Sequence, residues 1–124
     1  MIGIGEVLRE MMDSLKAEVS GIRGVVLSTY EGLPIVSSSG MEGMEARISA
    51  MISALSILAN KVGSELDTGD MEEVSVSFDD SKVFCYRIDD GAIMAVITEK
   101  DINMGMLALI VPRLIERLRE VLYE

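Results

Sequence analysis

The sequence predicts an α/β fold of the α+β kind: a single three-layer domain in which a five-stranded antiparallel sheet carries a long middle helix on one face and the N- and C-terminal helices on the other. Three observations predict it. Apolar residues recur at helical spacing in three stretches, short runs with strand character lie between them as a hairpin and then a meander, and 124 residues suffice for one core but not two.

The first helix places Ile4, Val7, Leu8, Met11, Leu15 and Val19 on one side, with Glu6, Arg9, Glu10, Asp13 and Lys16 mostly elsewhere on the cylinder. Gly21 ends it. Gly24 to Tyr30 and Leu33 to Ser38 then read as a hairpin around Glu31-Gly32, and Pro34, which has no backbone N–H to donate, assigns the second strand to a sheet edge. After a loop at 40–43, the stripe Met44, Ile48, Met51, Leu55, Leu58 and Val62 defines the longest helix. Its other face, Ala46, Ser49, Ala50, Ser53, Ala54, Ser56, Ile57 and Ala59, carries no charge. A helix that is apolar or small nearly all round is buried on more than one side, and a single small sheet covers only one.

Asp67 to Asp70 forms a turn, after which Val74, Val76 and Phe78 alternate with Glu73, Ser75 and Ser77 as in a strand with one wet face. Asp79-Asp80-Ser81 and Asp89-Asp90-Gly91 are the corners of a meander through 82–88 and 92–98. The run Ile93-Met94-Ala95-Val96-Ile97 has no alternation, so it is expected in the middle of the sheet, buried on both faces. Asn103 is the expected N-cap of the last helix, whose buried stripe is Leu107, Ile110, Val111, Leu114, Leu118, Val121 and Leu122, with a kink at Pro112.

If the central strand pairs with Gly24 to Tyr30, the sheet edges are the Pro34 strand and the strand over 72–79. Only the first is blunted. The second has no Pro or Lys within Val74 to Phe78, which natural edges avoid unless the edge is used. Two copies pairing Val74, Ser75, Val76, Ser77 and Phe78 across a two-fold axis, with Ala46, Ala50, Ser53, Ala54 and Ile57 of the long helices in contact, would account for both the open edge and the twice-covered helix.

The chain has a net charge of −10, and between Asp67 and Asp101 ten acids face only Lys82, Arg87 and Lys100. Nucleic acid and anionic membrane surfaces are therefore poor partners. Cys85 is the sole cysteine, so an intramolecular disulfide is impossible and a cytoplasmic location is expected. Charges at Glu6, Arg9 and Glu10 interrupt any secretory core, and the uncharged run 48–60 is too short to span a bilayer.

Three stretches, taken in order, carry a family resemblance: Gly21-Ile22-Arg23-Gly24-Val25-Val26-Leu27, then Glu31-Gly32-Leu33-Pro34-Ile35-Val36-Ser37, then Thr98 with Asn103-Met104-Gly105-Met106-Leu107. With the Ala/Ser-rich helix between them, the chain resembles the roadblock family of dynein light-chain-like proteins, which share a profilin-like architecture. The resemblance implies a homodimer whose partners are small Ras-like GTPases or other roadblock chains. It also implies a partner-facing surface on the long helix from Met44 to Leu66, with Arg47, Ser49, Ser56 and Asn60 as candidates. The sequence departs from the usual pattern at Ser28 and Thr29, where an Asp is frequent, and at Pro112.

The residues argue against catalysis. Without histidine, the commonest general base and metal ligand are missing, and Cys85 between Phe84 and Tyr86 has no imidazole to activate it. The Asp79-Asp80 and Asp89-Asp90 pairs read as turn residues, and Gly3-Ile4-Gly5 lacks the third glycine of a dinucleotide loop. No cofactor or metal is expected. A non-enzymatic regulator or scaffold is the favoured reading, with a small-molecule sensor, or less readily a small hydrolase, as alternatives.

Overall fold

The structure, a computed structural model describing residues 2–123, runs α1 (Ile4–Glu18), β1 (Ile22–Thr29), β2 (Pro34–Ser37), α2 (Glu45–Glu65), β3 (Glu73–Ser77), β4 (Ser81–Arg87), β5 (Ala92–Glu99) and α3 (Met104–Tyr123). The strands form one antiparallel sheet in the order β2-β1-β5-β4-β3. The uniformly apolar β5 therefore takes the centre, where Ala92 to Val96 are buried on both faces, and the Pro34 strand takes an edge that asks nothing of its missing N–H.

Side-chain alternation in the strands separates two cores. Val25 and Leu27 of β1, Phe84 of β4 and Met94 and Val96 of β5 point to one face, where α1 supplies Leu8, Met11, Met12 and Leu15 and α3 supplies Leu107, Val111, Leu114 and Leu118. The opposite face is smaller. There Val26, Cys85, Ile93 and Ala95 meet Ile52 of α2 and Met41 of the preceding loop. In α1 the expected stripe misplaces its first member: Ile4, in the first turn of the helix, is exposed, whereas Met12 is fully buried.

Asn103 caps α3 as expected, its Oδ1 accepting the Met106 N–H at 3.1 Å. The helix continues through Pro112 to Tyr123. Its far end is fastened to the β4–β5 turn, where the Arg119 guanidinium donates to the carbonyl of Ile88.

The turn after α2 is held close. Thr68 N–H donates to the Gly63 carbonyl at 3.0 Å, and a Cβ on Gly63 would lie 2.6 Å from the carbonyl oxygen of Gly69. Because that neighbour is backbone, Gly63→Ala should cost about 1–3 kcal/mol despite the better helix propensity of alanine. Chemical denaturation measures it, and a Gly63→Ala protein more stable than the parent would contradict the close approach.

Candidate interaction surface

β3 is an open edge. Arg87 N–H donates to the Glu72 carbonyl at 2.9 Å and Phe78 N–H to the Ser81 carbonyl at 2.8 Å. Antiparallel ladders alternate, so the even-numbered residues of this segment bond to β4 and the N–H and C=O groups of Glu73, Ser75 and Ser77 point outward in the plane of the sheet. The side chains follow the opposite logic: Val74 and Val76 are half-buried, Val74 packing on the α2 side, while Glu73, Ser75 and Ser77 stand exposed on the α1/α3 side. Phe78, just past the strand, is half exposed.

α2 lies over the sheet the other way round from the expected stripe. Ser49, Ile52, Ser53 and Ser56 are buried against the strands, and Ile48 and Leu55 are half-buried. Met44, Met51, Leu58 and Val62, expected to face the sheet, are exposed, Leu58 to 62% and Met51 to 55%. The reason is hydrogen-bond accounting. Ser53 Oγ donates to the Tyr30 carbonyl at 2.6 Å, and Ser56 Oγ donates to the Ile52 carbonyl at 2.8 Å while lying 3.2 Å from Cys85 Sγ. A serine whose hydroxyl is satisfied locally is a small residue that lets helix and sheet approach closely. The approach is tight where the hairpin passes beneath: a Cβ on Gly32, at φ +99°, would sit 3.2 Å from Ser53 Cβ and 3.3 Å from Ala50 Cα.

The residues expected at the interface and partner surface therefore divide. Ala46, Ala50, Ala54 and Ile57 are exposed on the outer side of α2, as is Arg47. Ser53, Ser49 and Ser56 are not available there, since all three are buried beneath the helix. Ser49 Oγ is the buried side-chain polar atom without a partner among the described residues. Asn60 is half-buried and engaged internally, its Nδ2 donating to Tyr30 Oη at 2.9 Å and its Oδ1 accepting the Met71 N–H at 2.8 Å, which ties α2 to the segment entering β3. Sequence reasoning placed Met51, Leu58 and Val62 in the stripe and passed over Leu66 at the helix end; with Ala50, Ala54 and Ile57 they leave α2 with an uncovered apolar side.

The Asp89-Asp90 pair is structural. Asp89 accepts the Gly91 N–H at 2.7 Å, and Asp90 meets the Arg87 guanidinium at 2.6 Å, with Asp70 3.8 Å from the same group. Among the described residues no helix is long and apolar enough to cross a membrane, and no three His, Cys, Asp or Glu side chains converge as metal ligands.

Burial pushes the Cys85 thiol above its ordinary value of 9.0, only partly opposed by Ser56, and burial together with the charge of Glu73 pushes the Tyr86 phenol above its ordinary 10.0. Both groups hold their protons more tightly folded than unfolded. Their contribution to stability is complete below the unfolded values and is lost as pH rises through the folded ones. Denaturation midpoints should accordingly fall as pH is raised above about 9. A thiol reagent at pH 8 should label Cys85 only after unfolding, which a timed mass-spectrometric assay checks.

The Roadblock/LC7 domain family model matches residues 8–98. The chain belongs to the Roadblock/LC7 domain family. Among solved structures, the Roadblock/LC7 domain from Streptomyces avermitilis is 22% identical and superposes with a TM-score of 0.89, covering 94% of this chain and 98% of its own. Myxococcus xanthus MglB is 10% identical, with a TM-score of 0.88 over 98% of this chain and 92% of its own. Acanthamoeba castellanii profilin IB, 14% identical, gives 0.62 over 89% and 94%, so the roadblock fold here is also profilin-like. A comparison with curated protein sequences found no match. At these identities the likeness carries the Roadblock/LC7 fold, and the surface just described is a property of this chain's own residues.

Proposed function

We propose that this Roadblock/LC7 chain works as a non-enzymatic, cytoplasmic homodimer that regulates or scaffolds a small Ras-like GTPase. The observation that carries the reading is the continuity of two unfinished surfaces: the outward backbone groups of Glu73, Ser75 and Ser77, and the apolar outer side of α2 that leads into them through Leu66. A second copy related by a two-fold axis would continue the sheet through β3 and lay Ala46, Ala50, Ala54 and Ile57 against the mate's helix, where small side chains permit close approach. Such a contact would bury on the order of 1,600 Å² in total, as stable complexes do. The part of α2 left uncovered by the mate, with Arg47 among it, would face the GTPase.

Light scattering at micromolar concentration should give about twice the 13.5 kDa chain mass. A monomer would end the dimer reading. For the partner, the small GTPases of the same organism should be mixed with the protein one at a time. One of them should co-elute or change its rate of GTP hydrolysis, and no effect from any of them at tens of micromolar would remove the GTPase while leaving the pairing in place.

A further inference from the structure

We infer that the β3 edge selects a second copy of this same chain in one register, with Ser75 on the two-fold axis and Glu73 reaching Lys82 of the partner subunit over the partner's Ser77. This register rests on the pairing proposed above and supplies the reason the edge chooses its own kind. On the α1/α3 side of the sheet, β3 presents Glu73, Ser75 and Ser77, whose neighbours on β4 are Tyr86, Phe84 and Lys82 in that order.

Hydrogen bonding selects the register. The outward N–H and C=O groups belong to Glu73, Ser75 and Ser77, and two such residues facing each other across an antiparallel edge exchange both bonds. With Ser75 on the axis all three are matched: Glu73 with the partner's Ser77, Ser75 with the partner's Ser75, and Ser77 with the partner's Glu73. Moving the axis to Val74 leaves Ser77 opposite the partner's Met71, whose N–H is already given to Asn60 Oδ1 at 2.8 Å. Moving it to Val76 brings Glu73 opposite the partner's Asp79, past the end of the strand, and sets two carboxylates side by side. The Ser75 register also puts Val74 opposite the partner's Val76 on the α2 side and gives the half-exposed Phe78 a diagonal neighbour in the partner's Val74.

Charge agrees with it. Across the joined sheet on the α1/α3 side, one row of side chains runs Tyr86, Glu73, the partner's Ser77 and the partner's Lys82, and the two-fold axis repeats the row in reverse. Within a single protomer Glu73 and Lys82 stand at opposite ends of the β3–β4 pair. Among the described residues both ion pairs belong to Arg87, so neither Glu73 nor Lys82 has a charged partner in its own protomer, although Arg113 and Arg119 border the adjoining hollow. Across the axis their Cα atoms are two strand spacings apart, about 10 Å, and the side chain between them is a serine, over which the longer glutamate and lysine can meet. The edge is therefore self-complementary: its acidic end meets the basic end of an identical copy, which an unrelated strand would not offer.

The test uses the full chain. In this register a cysteine at position 75 faces its symmetry mate at a Cα separation of about 5.5 Å, within disulfide range, so Ser75→Cys should form a covalent dimer under mild oxidation while the buried Cys85 stays reduced. Glu73→Cys and Ser77→Cys should each stay unlinked alone and should link when mixed. A dimer in which Ser75→Cys links only to Glu73→Cys, or only to Ser77→Cys, has a shifted register and overturns the inference while leaving the pairing in place. A dimer that no β3 cysteine links uses another surface, and a monomer by light scattering overturns the pairing and the register together. Charge gives a second readout. Glu73→Lys and Lys82→Glu should each weaken the dimer about fivefold or more, although the first lowers the net charge and by general repulsion alone would tighten it. Mixed in equal amounts, the two variants set opposite charges together at both sites, and native mass spectrometry should show the mixed dimer restored to parental strength. A mixture no tighter than its components would overturn the contact between Glu73 and the partner's Lys82.

Discussion

Ser75→Pro should convert the pair into folded monomers. The Ser75 N–H points away from β4, so proline removes no hydrogen bond within the protomer and stands on an edge, the one place in a sheet where it is tolerated. Across the two-fold axis, by contrast, each copy loses a donor and leaves a carbonyl on its mate unpaired, at about 1–3 kcal/mol each and therefore about 2–6 kcal/mol per pair. The dissociation constant should rise at least about thirtyfold. Sedimentation equilibrium measures it, with far-ultraviolet circular dichroism as the check that the monomer keeps its fold. A Ser75→Pro protein that remains as tight a dimer as the parent would move the interface away from β3.

Two adjacent residues of α2 should respond in opposite ways. Ala54→Glu puts a carboxylate on the outer side of the helix, where in the pair it faces the mate's helix and its symmetry-related charge, so the dimer should be lost while the protomer stays folded. Ser53→Ala removes the 2.6 Å hydrogen bond to the Tyr30 carbonyl beneath the same helix. It should lower protomer stability by about 1–2 kcal/mol and leave the association unchanged once both proteins are compared in the folded range. If Ser53→Ala, and not Ala54→Glu, separates the pair, α2 presents to its mate the face here assigned to the sheet.

That contrast also marks where the sequence was readable. The order of elements, the central place of β5, the edge position of Pro34 and the cap at Asn103 each follow from a local rule: a run without alternation, a missing N–H, a side-chain oxygen one turn ahead of a helix. The roadblock family was visible in the glycines and the Gly-Leu-Pro turn spaced around an Ala/Ser-rich helix, and the family match bears it out. The orientation of α2 was not readable from hydropathy. Ser49, Ser53 and Ser56 score as polar, yet two of them spend their hydroxyls on nearby carbonyls and all three pack as small residues, which leaves the methionine and leucine stripe outside. Asn60 was misleading for a related reason: an amide on a helix looks like a contact for a partner until its two ends are found on Tyr30 and Met71.

The inverted helix has a thermodynamic corollary. Each protomer spends its small polar side chains on its own sheet and leaves an apolar helical surface outside, so if two copies pair as proposed, association adds to the stability of a protomer that already folds alone, and does so by mass action. The melting temperature should then climb with total protein, and a freshly made chain at high dilution should be both softer and stickier than one that has met its twin. How much of the protein a cell holds would thereby decide how firmly each copy is folded.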